Sequence, residues 1–368
     1  MGIQKFAEKE KKRLKTFILY VSCELISLIF MYLGIEGKKY NKAFLVISSL
    51  FLILIVGLRS LDTGTDTYRY AEALNRYVTG YVTQSDKIWL GKGYFFIFYI
   101  IKYLFGSSYV IFNLLIAFLT IYFLYRVILK ESQNPLLSLF LFFATCLFLQ
   151  MLNQSRQLLA VVLVLYSYSF VKERKLIKYI LIIIIAGLIH SSALIMLPFY
   201  YLGNLKINKK TILSYILVVL LILFGFPFIE RMLSYTTYGQ VYVVNNYMTE
   251  SQSSSFLNLA VRFFLLLFIL FLKEKDDFKN NYYFFNMAIW TFLTQLITTK
   301  IYIFGRITTY FFIYYLLSIP SVLEGLKNRN NKLVYYFVTI LIFTAYYIVY
   351  YKKVSISSGY SIYNFFWK

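Results

Sequence analysis

"KAFLVISSLFLILIVGLRSLDTGTDTYRY", residues 42–70, joins an apolar run to a charged mouth. After Lys42, every side chain through Gly57 is apolar or small. As a helix, those sixteen residues rise about 24 Å, close to the ~30 Å hydrocarbon layer of a bilayer. An arginine, two aspartates and a glycine flanked by threonines follow at once. A membrane span that opens directly onto a polar element is the simplest reading, and it poses the question of what the charges do there.

The rest of the chain repeats the pattern. Of 368 residues, 60% are hydrophobic and only 15% charged, where a soluble domain carries about a quarter charged residues. Apolar runs near spanning length recur without the strict alternation of a β-barrel. The fold class is therefore an all-α, polytopic integral membrane helical bundle. Candidate spans lie at 17–35, 43–58, 94–105, 109–129, 135–152, 156–171, 175–189, 191–204, 211–229, 257–272, 284–299, 305–322 and 333–351. The segment 94–105 is short for a crossing and reads as interfacial or re-entrant, so the count is about 11 to 13. No linker or repeat divides the chain, which reads as one membrane domain. Residues 1–16 form a basic leader without a cleavage signature, retained on the first helix.

The formal charge is +22. Part of it is the positive-inside bias: basic clusters at 172–178, 206–210, 273–279 and 327–332 read as cytoplasmic. Both the leader and "GKKYNK" (37–42) carry the same basic signature, although one span separates them. Lysine-poor segments at 59–93, 230–256 and 299–304 read as extracytoplasmic. No soluble basic domain exists to hold nucleic acid. Cys23 and Cys146 lie in apolar runs and His190 is the only histidine. No metal site and no cofactor is expected.

Charges inside a membrane are costly and mark function by default. Arg59, Arg156, Arg262 and Arg306 fall at the outer ends of spans, where the positive-inside rule disfavours arginine, and His190 joins them. Singly, each reads as a snorkeling interfacial residue. Together they read as an outward cavity for anionic groups, because guanidinium pairs bidentately with phosphate oxygens. Asn153, Arg156 and Gln157 stand at i, i+3 and i+4, as neighbours on one helical face. Arg306 and Tyr310 share that spacing. Thr65 or Asp66 reads as the N-cap of a helix through Tyr77; Asp62 stands one turn before Asp66. His190, with Ser191 and Ser192 behind it, reads as a tight hairpin or broken helix, either structural or in contact with substrate.

In order, "LRS…GTDT…Y", "GYFFIFYIIKYLF", "NQSRQLLAVVLVLYS", "IAGLIHSSALIMLPFYYL" and "GRITTYF" resemble the EpsG-like branch of the Wzy-type bacterial polysaccharide polymerases, over roughly residues 43 to 322. The resemblance implies a GT-C-like, metal-independent glycosyltransferase of the bacterial cytoplasmic membrane. Its substrates would be oligosaccharide repeat units on undecaprenyl diphosphate at the outer leaflet, its product a growing capsule, exopolysaccharide or O-antigen chain. Membrane lipid and a chain-length regulator protein would be its partners. On this reading Arg59, Arg156, Arg262 and Arg306 bind diphosphate. Asp62, Asp66 or His190 accepts the acceptor proton, and Asn153, Gln157 and Tyr310 bind sugar or phosphate. The competing readings are another lipid-linked-sugar transferase or ligase, a flippase or transporter of lipid-linked sugars, and a membrane scaffold. Charges gathered on one side, with no internal repeat, favour an enzyme over a transporter.

Overall fold

A 34-residue helix, α1 (Gly2–Ile35), opens the chain. At 1.5 Å per residue it extends about 51 Å, well beyond the hydrocarbon layer. The basic leader is thus the continuation of a span and not a separate element. The coordinates are a computed structural model describing residues 2–37, 39–225, 228, 231, 232, 235, 252–272, 282–301, 304–328, 331–356 and 359–367. Of the expected outer loop 230–256, only Arg231, Met232, Tyr235 and residues 252–256 lie among them; the basic run 273–279 lies outside.

Asn41 starts α2 (Lys42–Gly57) by accepting a hydrogen bond from Ala43 N. Then come α3 (Thr67–Thr79), α4 (Gln84–Leu90), α5 (Lys92–Phe105), α6 (Tyr109–Glu131), α7 (Pro135–Ala144), α8 (Leu147–Asn153), α9 (Ser155–Lys172) and α10 (Leu176–Ile189). A 3-10 helix (Ser191–Met196) leads to α11 (Phe199–Leu202) and α12 (Lys209–Phe224). The remaining helices are α13 (Gln252–Leu272), α14 (Tyr282–Thr298), α15 (Gly305–Phe312), α16 (Tyr315–Asn328) and α17 (Lys332–Ile356). The fold is all-α; among the described residues the only β pairing is one isolated bridge, Arg59 with Phe365.

Among the described residues, four helices are long and apolar enough to cross a membrane: Phe6–Ile35, Tyr109–Glu131, Gly305–Lys327 and Lys332–Lys352. The pair Pro135–Ala144 and Leu147–Asn153 passes the same test when taken together, but is bent by 56°, as in a broken span or a re-entrant loop. Lys42–Gly57, Leu176–Ile189 and Phe256–Leu272 are apolar but shorter. Within the apolar run 135–152 the backbone breaks once. Cys146 takes a left-handed φ of 58° between α7 and α8. The doubtful run 94–105 becomes α5, whose Tyr94, Ile97, Phe98 and Ile101 are buried while Phe96, Tyr99 and Tyr103 are exposed. One aromatic face out and one packed in suits a helix lying along a boundary. The expected outer loop 59–93 is largely helical.

Where no linker predicts a division, the chain packs as two compact units, residues 1–194 with 327–368, and residues 195–326. In the first, α1 and α2 run antiparallel. Gly34 lies so close to Leu45 that a Cβ there would contact its side chain at 2.7 Å. Ser27 and Ser48 each donate to the other's carbonyl, at 2.9 and 2.6 Å. One end of this unit holds the 36–41 turn, where Tyr40 donates to Leu129 O, and the pairs Lys130–Glu173, Lys172–Glu131 and Lys175–Glu173. At the opposite end lie residues 58–66 and the tail 359–367. Thr16 of α1 accepts a bond from Tyr363 N at 2.9 Å, so the leader projects from that end. The leader and "GKKYNK", which share a basic signature, therefore sit at opposite ends of the unit.

One intramembrane charge escapes the sequence pattern. Glu24 is buried in α1, where it accepts hydroxyl bonds from Tyr346 and Tyr350 of α17. Beside it is a cavity of about 210 Å³, walled chiefly by Val21, Leu28, Phe140, Phe143 and Phe343.

The second unit is organised on Asn286 of α14. Its Nδ2 donates to the carbonyls of Gly203 and Leu205 at 2.8 and 2.9 Å, and its Oδ1 accepts from Tyr215 at 2.6 Å. The carbonyls beyond α11, orphaned where that short helix ends, are thereby satisfied.

Candidate functional site

The loop 58–66 is built on Arg59, which has no exposed surface. Its Nε donates to Thr67 Oγ1 at 3.1 Å, Nη2 to Asn113 Oδ1 at 3.2 Å, and Nη1 to Val56 O. One guanidinium thus joins the C-terminus of α2, the start of α3 and the first turns of α6. A cation there also meets the negative end of the α2 dipole. With no surface exposed, Arg59 serves as a hydrogen-bond hub.

Beyond it the chain closes on the end of α8. Gly64 takes a φ of +86°, and a Cβ there would overlap the Leu152 carbonyl oxygen, so only glycine fits. Thr67 Oγ1 lies 2.7 Å from Thr63 O and 3.3 Å from Leu152 O. Asn153 Oδ1 accepts from Thr65 Oγ1 at 2.7 Å and from the Asp66 amide at 2.9 Å. Asp66 is the N-cap of α3 by position, as predicted, and the helix runs on to Thr79. Its carboxylate makes no capping bond to the first turn. Asp66 is half-buried and Asp62 exposed.

Asn153 closes α8, Gln154 breaks the helix with φ −93° and ψ 48°, and Ser155 opens α9. The expected shared face of Asn153, Arg156 and Gln157 is therefore absent: the i, i+3 rule needs an unbroken helix. Arg156 and Gln157 stand in the first turn of α9, Arg156 with 8% of its surface exposed and Gln157 buried. The Arg156 guanidinium carbon lies 5.9 Å from the centroid of the buried Tyr94 ring of α5. Beside Tyr94, Gly93 meets the Leu188 carbonyl so closely that a Cβ would come within 2.7 Å. Helix α5 thus touches Arg156 on one side and the last turn of α10 on the other. His190 caps α10, with its Nδ1 2.7 Å from Ser192 Oγ. The break predicted at His190 is present, as a 3-10 helix.

In the second unit Arg262 of α13 lies over the Phe312 ring, 3.5 Å from its centroid. Arg306 stands in the first turn of α15 and both arginines are half-buried. Arg262 meets α15 at its last residue, six positions or about 9 Å of rise from Arg306. Tyr310 is completely buried.

Two features of this region escape the sequence pattern. Asp86 is gripped bidentately by Arg76, at 2.9 and 2.7 Å, and completes a capping box with Thr83. The Arg76 hydrogen bonds hold its carboxyl down at about 2, so Asp86 locks α3 to α4 and is no base near neutral pH. The other is the tail. Its only signal in the sequence is the aromatic density of "GYSIYNFFW" past the final span. Ser60 N donates to Asn364 O at 2.8 Å, Phe366 N to Leu58 O at 3.0 Å and Gly64 N to Gly359 O at 2.7 Å. Among the described residues no three His, Cys, Asp or Glu are grouped to hold a metal ion.

No curated protein and no solved structure matches the chain. A family model does, that of the EpsG family, over residues 42–366. The match begins at α2, after the long first helix, and runs past residue 322 through α17 and the tail. The GTDT loop, the α8–α9 break, the His190 turn and the strand-like tail all fall inside it, and the chain belongs to the EpsG family.

Proposed function

We propose that this protein joins undecaprenyl-diphosphate-linked oligosaccharide repeat units by glycosyl transfer at the outer face of the bacterial cytoplasmic membrane. Family membership makes it a membrane protein of the polysaccharide-polymerase type. The observation that carries the finer reading is the seating of Thr65 and Asp66 on Asn153, three residues before Arg156. A carboxylate-bearing loop is thereby fixed beside the helix start that presents a mostly buried guanidinium.

In the reaction, a hydroxyl at the non-reducing end of the new unit attacks the anomeric carbon of the growing chain. The bond to the diphosphate oxygen breaks, and undecaprenyl diphosphate leaves. Arg156 neutralises the charge that grows on the leaving diphosphate, where a fixed cation is most effective. Arg262 and Arg306 are candidate phosphate ligands within the second unit. Asp66 takes the hydroxyl proton: its peptide is fixed by Asn153. Asp62 and His190 are the other candidate bases. Arg59 and Asn153 are assigned to holding the loop, and Gln157 and Tyr310 to the core.

The loop end of the first unit is assigned to the outside because the opposite end gathers Lys39, Lys42, Lys130, Lys172 and Lys175. The basic leader at the loop end opposes that bias. Glu8 and Glu10 pair with its Lys12 and Arg13 and cancel two of its charges.

Purified protein supplied with lipid-linked repeat units, with EDTA present, should form ladders of longer glycans. Movement of the lipid-linked sugar across a vesicle wall without elongation would contradict the enzyme and favour a transporter.

A further inference from the structure

Residues 58–66 have no regular structure of their own, yet several of their backbone groups are paired, three of them with residues about 300 positions away. The tail 359–367 supplies it in strand-like fashion. Leu58 O, Ser60 N and Gly64 N all bond to its backbone, Arg59 pairs with Phe365 in an antiparallel bridge, and Thr63 Oγ1 accepts from Asn364 N at 3.2 Å. The loop's other side is seated on Leu152 and Asn153. It is therefore clamped between the tail and the α8–α9 break.

The tail is itself pinned. Tyr363 N donates to Thr16 Oγ1 of α1 at 2.9 Å, and Tyr363 OH donates to Ile55 O of α2 at 2.8 Å. Its ring packs edge-on against Tyr20, 5.8 Å between centroids, and Tyr20 OH reaches Tyr360 O at 3.3 Å. Helix α1 lies before the region that the EpsG family model matches, yet it supplies two of these anchors.

We infer that the tail is a positioning strap for the reaction, a role that rests on the polymerase reading: Tyr363, pinned by Thr16 and Ile55, sets the register of the 58–66 loop and so the placement of Asp66 against Asn153 and Arg156. A backbone template spaces such a loop to a fraction of an ångström. Misplacing a reacting group by about 1 Å costs up to ~100-fold in rate. Thr16 and Thr63 then act on turnover without touching substrate.

The test uses full-length protein in detergent carrying Thr16→Val, Thr63→Val or Thr16→Ser. Two quantities are read: amide hydrogen exchange of peptides covering residues 58–70, and kcat and KM on lipid-linked repeat units. Both valine variants should speed exchange across 58–66. They should lower kcat roughly tenfold while KM stays within about twofold, and Thr16→Ser should restore both. Unchanged exchange in both valine variants would overturn the strap. So would faster exchange with wild-type kcat, which would make the tail a fastening of the fold only. Wild-type protein that fails to elongate would instead sink the polymerase reading, and the exchange measurement would still decide whether the tail holds the loop.

Discussion

The two ends of the first unit use charge in opposite ways. At one, Lys130 and Lys175 reach Glu173 at 2.6 and 2.7 Å, with half of each lysine side chain and a third of the glutamate exposed. The pairing holds the Glu173 carboxyl down at about 2, yet water and salt screen such contacts and they hold little together. At the other end a single guanidinium, Arg59, is wholly enclosed and spends its donors on three different elements. A row of lysines marks a face of the unit. One buried arginine builds the opposite face.

The contrast is broken most forcefully at Arg59. Arg59→Ala leaves Val56 O, Asn113 Oδ1 and Thr67 Oγ1 short of a donor in a dry site. It should cost roughly 3 kcal/mol or more, seen as a large fall in melting temperature. Arg59→Lys should not rescue it, because an ammonium lacks the planar fork that reaches three acceptors. Next come the carboxylates of the loop. Asp66→Asn should lower kcat by about two orders of magnitude, within the range of general acid–base catalysis, with the melting temperature close to wild type. Asp62→Asn, on an exposed side chain, should change kcat by less than about threefold. Equal losses at both would remove Asp66 as the base. The smallest effect belongs to the lysine end: Glu173→Gln should leave melting temperature and elongation where they are. A clear loss there would mean that the two ends are not as different as their geometry says.

What the sequence discloses follows from how local its causes are. Bilayer burial acts on every residue of a run, so the all-α membrane class is legible from composition and run length. The helix start at Asp66 and the break at His190 are legible from neighbouring polar residues. The bend at Cys146 is not: that residue carries no breaker signature, yet it ends a helix inside an apolar run. The Asn153–Arg156–Gln157 face is lost because Gln154 interrupts the helix between Asn153 and Ser155. Least legible are contacts closed across the chain. Glu24 and its tyrosine partners are separated by 322 residues or more, and Gly64 meets Gly359. The arginines looked alike in sequence because each stood at an outer span end. The structure separates Arg59, with no exposed surface and bonds to three elements, from Arg156, with 8% exposed at the start of α9.

The most direct test follows from that separation. Wild-type and Arg156→Ala protein, purified in detergent and matched for melting temperature, would be given lipid-linked repeat units and the products resolved by length. The wild type should yield a ladder, and Arg156→Ala should slow it by about a hundredfold or more, the loss typical when a transition-state charge partner is removed. A folded Arg156→Ala protein that elongates at the wild-type rate would contradict the site placed at the start of α9.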